Sequence, residues 1–89
     1  MKISISGQFK KDYRKVKSSG RFDITEVDSV IKELAIPKQL LPKYCDHELS
    51  GIHKGIRECH VYPDLLLMYK YLIDSLYLVR LGSHSELFN

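Results

Sequence analysis

The stretch HKGIRECHVYPDLLLMYKYLIDSLYLVRLGSHSELF, His53 to Phe88, decides the fold. It holds three strand candidates, Lys54–Val61, Leu65–Tyr71 and Leu76–Leu81. Tyr62-Pro63-Asp64 and Ile73-Asp74-Ser75 separate them, spacers short enough for antiparallel hairpins. The run LLLMY has no polar alternation, which predicts a central strand buried on both faces. LYLVRL alternates, so Leu76, Leu78 and Arg80 are expected on one face and Tyr77, Val79 and Leu81 on the other. His60, Asp64, Arg80 and His84 punctuate these apolar runs, and a sheet needs none of them for packing. Two imidazoles, a carboxylate and a guanidinium are the groups that move protons and hold a phosphate.

Upstream of this stretch the pattern changes. Lys2 to Ser6 alternates Ile3 and Ile5 with polar neighbours, as a short strand does. From Gln8, Phe9, Tyr13 and Val16 fall at i, i+4 and i+7, which predicts a helix ending near Ser19-Gly20. Lys10, Arg14, Lys17 and Arg21 lie along a different face of that helix. A second helix follows Asp23, with Glu26 three residues on as in a capping box. Val27, Val30, Ile31 and Leu34 form its apolar stripe, and Pro37 stops it. Two amphipathic helices around a Gly-containing turn read as a helical hairpin. From Pro37 to Gly51 there is no period, which suggests an ordered loop. The order β-α-α-β-β-β predicts one α+β domain over residues 1–89: an N-terminal strand and a two-helix hairpin packed on an antiparallel three-strand sheet.

Composition narrows the class. With 44% hydrophobic and 28% charged residues among 89, the chain reads as an ordinary globular domain. No apolar run approaches the roughly 20 residues that span a bilayer, and MKISISGQFKKDY lacks the apolar core of a signal peptide. A cytoplasmic location, without membrane association, is the expectation. Two cysteines, Cys45 and Cys59, are too few for a disulfide framework and are expected to be reduced thiols. Charge is uneven: residues 1–44 hold ten Lys/Arg against five Asp/Glu, residues 45–89 four against six. Basicity concentrates in KKDYRKVKSSGR, Lys10 to Arg21. Such a face beside a neutral or acidic site suits a polyanion held by one surface and cut at another.

The series DHELSG, KGIRECHVYPDLLLMY and LVRLGSHSELF, from Asp46 to Phe88, resembles the YafQ-type branch of the RelE superfamily of bacterial toxins. A histidine loop, an H-x-x-P-D turn and an R-x-G-[ST]-H-x-x-L-F ending carry the resemblance together. It implies a RelE-like fold similar to small microbial ribonucleases, and a toxin that cuts mRNA on the ribosome without a cofactor. The attacking group would be the RNA's own 2′-hydroxyl. His84 is then implied as general acid, Asp64 as a candidate base and Arg80 as the phosphate anchor. His47 and His60 would line the site, and Phe88 would support the substrate or the His84 loop. Lys10, Lys11, Arg14, Lys17, Arg21 and Lys54 would meet RNA and the ribosome. A cognate antitoxin is implied as partner, with operator DNA bound only by the toxin–antitoxin complex. The alternative is a non-catalytic module of the same fold that binds an antitoxin or gyrase. Family members often carry Trp after the Asp of the turn and before the Lys-Gly pair, where this chain has Leu65 and His53. His53 is read as a structural or surface residue.

Metal ligation has a weak basis in the sequence. Cys45, His47, Cys59 and His60 are the conceivable set, but no C-x₂-C or H-x₃-H pair exists. Adjacent Cys59 and His60 would point to opposite faces of a strand. No metal is expected.

Overall fold

The computed structural model describes residues 1–36, 44 and 46–88. The elements, in chain order, are β1 (Lys2–Ile5), α1 (Gly7–Ser19), α2 (Ile24–Ala35), β2 (His47–Glu48), a 3₁₀ turn (Gly51–His53), β3 (Arg57–Tyr62), β4 (Leu65–Tyr71), β5 (Ser75–Gly82) and α3 (His84–Phe88). The α+β order expected from the sequence is present, and the three C-terminal strands are antiparallel as read. The sheet is larger than expected, with five strands in the order β1-β5-β4-β3-β2. β1 runs parallel to β5, with Lys2 opposite Ser75 and Ile5 opposite Leu78. β2 adds a two-residue rung against β3. β3 starts three residues later than expected, because the 3₁₀ turn and Gly55, at φ 93°, occupy the approach to it.

Ser6 sets the path of α1. Its hydroxyl accepts from the Phe9 N–H at 2.8 Å and donates to the Val79 carbonyl at 2.7 Å, capping the helix and tying it to β5. α1 ends at Gly20, at φ 70°, a conformation glycine adopts without a Cβ penalty. Asp23 caps α2 through the Thr25 N–H, while the Glu26 carboxylate accepts from the Tyr44 hydroxyl. α2 closes at Ala35 with Ile36 extended, the geometry favoured before a proline. Pro37 itself, like Cys45 and much of the expected loop, lies outside the described residues. Tyr13 clasps the two helices by donating to Asp28 at 2.7 Å.

One apolar core lies between helices and sheet, built from Phe9 and Val16, Val27, Val30 and Leu34, and the strand residues Cys59, Val61, Leu65, Leu67, Tyr69, Leu76, Leu78 and Leu81. Leu66 and Met68 are buried as well, so β4 is covered on both faces. The β5 alternation read from LYLVRL does not persist to its end. Leu78 pairs with Tyr69 but Arg80 with Met68, which leaves Val79 as an extra residue. That bulge keeps Leu81 in the core with Leu76 and Leu78, and registers Arg80 with Met68 instead.

Candidate functional site

The sheet carries polar side chains in register on either side of Leu66 and Met68. His47 pairs with Glu58, Glu58 with Met68, and Met68 with Arg80; one step along, His60 pairs with Leu66 and Leu66 with Gly82. Strand alternation puts Glu58 and His60 on the face opposite Cys59, which is fully buried in the core. Burial pushes the Cys59 thiol up to about 12, so it offers no thiolate.

Glu58 is the residue that the sequence reading passed over. Its side chain is only 6% exposed, and its Oε1 lies 3.5 Å from Nε2 of both His47 and His60. Those are ion-pair distances, long for hydrogen bonds. Oε2 is buried and has no hydrogen-bond partner among the described residues. A buried, incompletely satisfied carboxylate is costly, and such groups concentrate where chemistry needs them. The signal was available: Glu58 stands two residues before His60 in a strand, hence on the same face.

His47 reaches this face through β2. Asp46, just before it, accepts from the Tyr69 hydroxyl and pairs with Arg57 at 3.2 Å. Leu49 donates its N–H to the Ile56 carbonyl at 2.8 Å, closing the far side of the rung. His47 is thereby pinned opposite Glu58 although its ring is half exposed.

Arg80, the expected phosphate anchor, is partnered by Asp12 of α1. Nε and Nη2 donate to the two carboxylate oxygens at 2.9 and 3.2 Å, and the Leu81 N–H donates to the same group at 3.0 Å. The pairing is possible because β1 stops at Ile5, opposite Leu78, leaving the β5 edge beyond it to α1. Burial works to raise the Asp12 carboxyl, but the bonds from Arg80, Leu81 and Gln8 outweigh it and hold the pKa below 3.8. The guanidinium is held in one orientation, as an anchor for an anion requires.

α3 turns back from β5 directly after Gly82. A Cβ there would lie 3.2 Å from Glu86 Oε1 and 3.4 Å from the Leu87 side chain. Glu86 accepts from Lys15 at 2.7 Å and from the Ser83 N–H at 2.9 Å, and these bonds bring its pKa down to about 2. α3 presents His84 and Phe88 one turn apart, with ring centroids 4.8 Å apart. Phe88 also meets His53 edge-on at 5.5 Å. His53, expected to be structural or surface, therefore stands in the same aromatic row as His84.

Asp64 sits elsewhere. It occupies the two-residue turn between β3 and β4, its side chain 65% exposed and 3.5 Å from Arg21. It faces a cleft shared with Asp12, Arg21, Ser83 and Glu86. No described imidazole pairs with it. Among the expected RNA contacts, Arg21 is engaged by Asp64, whereas Lys10, Lys11, Arg14, Lys17 and Lys54 carry no ion pair among the described residues. Lys10, Arg14 and Lys17 rim an apolar groove floored by Ile3, Ile5, Phe9, Tyr13, Ile31 and Leu78. Leu65, next to Asp64 at the start of β4, is buried in the core.

A helical hairpin on a mixed sheet, with histidines and a carboxylate on the opposite face and a C-terminal histidine turn, is an architecture of bacterial toxins from type II toxin–antitoxin systems. Within that class the chain belongs to the YafQ family, described as "Bacterial toxin of type II toxin-antitoxin system, YafQ", which it matches over residues 1–89. It is 36% identical to the mRNA interferase toxin YafQ of Escherichia coli K12 over 87 residues, 97% of this chain and 94% of that one. Its structure is similar to a metal-bound toxin from Helicobacter pylori, with TM-score 0.91, 47% identity and 99% of each chain covered. It is also similar to the toxin of the E. coli DinJ–YafQ complex, with TM-score 0.84 and 34% identity over 98% of this chain and 97% of that one.

Proposed function

We propose that this chain is an endoribonuclease toxin that cleaves mRNA on the ribosome by side-chain acid–base catalysis. The observation that carries the reading is the Glu58 carboxylate, buried with one oxygen unsatisfied between two imidazoles, on the sheet whose last strand leads into His84. The nucleophile is the RNA's 2′-hydroxyl, so the protein need supply only a base, an acid and positive charge. Glu58 takes the 2′-hydroxyl proton, and the imidazoles of His47 and His60 share its charge. Arg80, preset by Asp12, meets the phosphorane. His84 gives a proton to the departing 5′-oxygen, leaving a cyclic phosphate and a 5′-hydroxyl. Phe88 and His53 offer ring faces and edges against which a base can stack. Asp64, placed on Arg21, orients that arginine toward the RNA in place of the base role first expected of it.

The basic stripe Lys10, Arg14 and Lys17, with Lys11 and Lys54, would hold ribosomal RNA. The groove beneath that stripe, apolar in its floor and cationic at its rim, suits an acidic amphipathic segment of a cognate antitoxin. Operator DNA would be bound by that complex. The test is primer extension on a translated message with wild-type protein, stripped with EDTA before addition, and with His84→Ala. The wild type should cut, and His84→Ala should cut about 10²–10⁴-fold less. Equal cutting by both, or none by the wild type, would sink the ribonuclease reading.

A further inference from the structure

We propose that Arg21, Phe22, Tyr62 and Asp64 form a subsite for one RNA base, guanine before the other three, on a nucleotide flanking the cleaved bond. The inference deepens the ribonuclease reading and rests on it for the substrate, whereas the subsite itself stands on the side chains. Arg21 and Phe22 lie between α1 and α2, Tyr62 ends β3, and Asp64 occupies the turn into β4. The rings of Phe22 and Tyr62 have centroids 5.1 Å apart at 35°, and the Arg21 guanidinium carbon lies 5.2 Å from the Phe22 centroid. Phe22 is thus held against Tyr62 and in turn holds a flat cation over its face. The Arg21 side chain is 68% exposed, which leaves guanidinium surface open to a ligand. A guanidinium plane is a surface on which an unstacked RNA base can lie.

Asp64 supplies the second observation. Its Oδ2 lies 3.5 Å from Arg21 Nη2, an ion-pair contact, and neither carboxylate oxygen accepts a hydrogen bond among the described residues. The pair is exposed on both sides and adds little to stability, so holding the fold does not account for it. A carboxylate beside a stacking plane meets the edge of whatever base lies on that plane. Asp64 brings acceptors only, and so selects for donors. Guanine presents two neighbouring donors, N1–H and the N2 amine, which match the two carboxylate oxygens. Adenine and cytosine offer one exocyclic amine each. Uracil offers a single N3–H between two carbonyls that repel the carboxylate. A purine also covers more of the guanidinium than a pyrimidine does.

The neighbours fix where on the RNA this base belongs. Arg21, Phe22 and Asp64 line a cleft together with Asp12 and Ser83. Asp12 holds Arg80, the phosphate anchor, and Ser83 directly precedes His84. A base on Arg21 therefore sits on a nucleotide next to the phosphate that Arg80 meets. None of the four residues moves a proton in the proposed chemistry, so the subsite acts on which bond is presented for cutting.

The experiment has two independent arms. Titration of the full chain with guanosine 5′-monophosphate, followed by the NMR signals of the Phe22 and Tyr62 rings, should saturate. Uridine 5′-monophosphate should bind at least about fivefold more weakly. Arg21→Ala should weaken the guanosine nucleotide at least about fivefold. Arg21→Lys keeps the charge but loses the plane, and should not restore the affinity. Asp64→Asn should bring the two nucleotides within about twofold of each other. No saturable shift at the rings, full affinity in Arg21→Lys, or an undiminished preference in Asp64→Asn overturns the subsite. In the second arm, cleavage sites on a translated message are mapped by primer extension with wild-type protein and with Asp64→Asn. The ratio of cutting at guanine-flanked over uracil-flanked bonds should fall at least about fivefold in the variant. An unchanged ratio overturns the role in choosing the bond. A wild type that cuts nothing overturns the ribonuclease reading, while the titration still decides the subsite.

Discussion

Glu58 and Asp64 are two carboxylates at opposite ends of one short strand and turn, and their surroundings separate them. Glu58 is buried between imidazoles with an oxygen free, while Asp64 is mostly exposed and occupied by Arg21. Glu58→Gln should therefore lower cleavage about 10²–10⁴-fold, the usual range for losing a general base. Melting temperature should hold or rise, because the amide relieves a buried, under-bonded charge. Asp64→Asn should cost less than about tenfold, as expected for an exposed ion pair. The reverse ranking in single-turnover assays would return the base role to Asp64. Asp12 makes the matching prediction for stability. Its folded pKa lies below 3.8, so its contribution is complete above that value and is lost as pH falls beneath it through the depressed folded value. Asp12→Asn should destabilise by about 1.5–3 kcal/mol near neutrality, since it weakens bonds from a guanidinium and a buried N–H. Thermal melts from pH 7 to pH 2 should show a shallower acid limb in the variant than in wild type; parallel curves would refute the linkage. Both residues could be read from sequence. Asp12 falls at i+3 from Phe9 and i−4 from Val16, inside the apolar stripe, and Glu58 is i−2 from His60. What hid their partners was distance along the chain, 68 residues between Asp12 and Arg80.

Elements that can be read from local pattern alone were the legible ones. The stripes of α1 and α2, the buried run of β4 and the short hairpin turns depend on period and on turn residues, which neighbouring positions determine. The bulge at Val79 is different, because an extra residue in β5 becomes visible only when its pairing with β4 is known. β2 and α3 escaped for the same reason: two and five residues are too short to show a period, and each forms against a strand already in place. α3 is the element on which His84 depends, and it is fastened by few bonds. Glu86 to Lys15 and Ser83 holds it from outside, and the bare Cα of Gly82 lets it approach β5. Glu86→Ala should thus reduce cleavage several-fold while changing stability by less than about 0.5 kcal/mol, because the Lys15 pair is exposed and α3 buries no residue fully. The gain in mobility should appear as faster amide exchange at 84–88 with protection of β4 unchanged. Loss of protection throughout the sheet would mean that Glu86 supports the fold at large and not α3 in particular.

Over the whole molecule, charge and chemistry are sorted onto different surfaces. Of the basic residues on and just after α1, Lys15 is taken by Glu86 and Arg21 by Asp64. Lys10, Lys11, Arg14 and Lys17 carry no ion pair among the described residues, and Lys10, Arg14 and Lys17, at i, i+4 and i+7, share a face. The histidine–carboxylate site lies across the sheet from the helices, so under the proposed function RNA held by α1 would have to extend around the sheet edge where Arg80 meets Asp12. Binding and cutting should then be separable by mutation. Lys10→Glu/Arg14→Glu should leave the unfolding free energy within about 0.5 kcal/mol of wild type, as exposed substitutions do. It should weaken cosedimentation with ribosomes, and more strongly at low salt than at high. Each phosphate contact contributes about 0.7–0.9 to the slope of log affinity against log salt, so losing two should flatten that slope by about 1.4–1.8. Glu58→Gln should cosediment as wild type does. Unchanged affinity and slope in the charge-reversed protein would remove α1 from the ribosome interface. A weakened Glu58→Gln would show that the catalytic face itself supplies the grip, and that one surface performs both tasks.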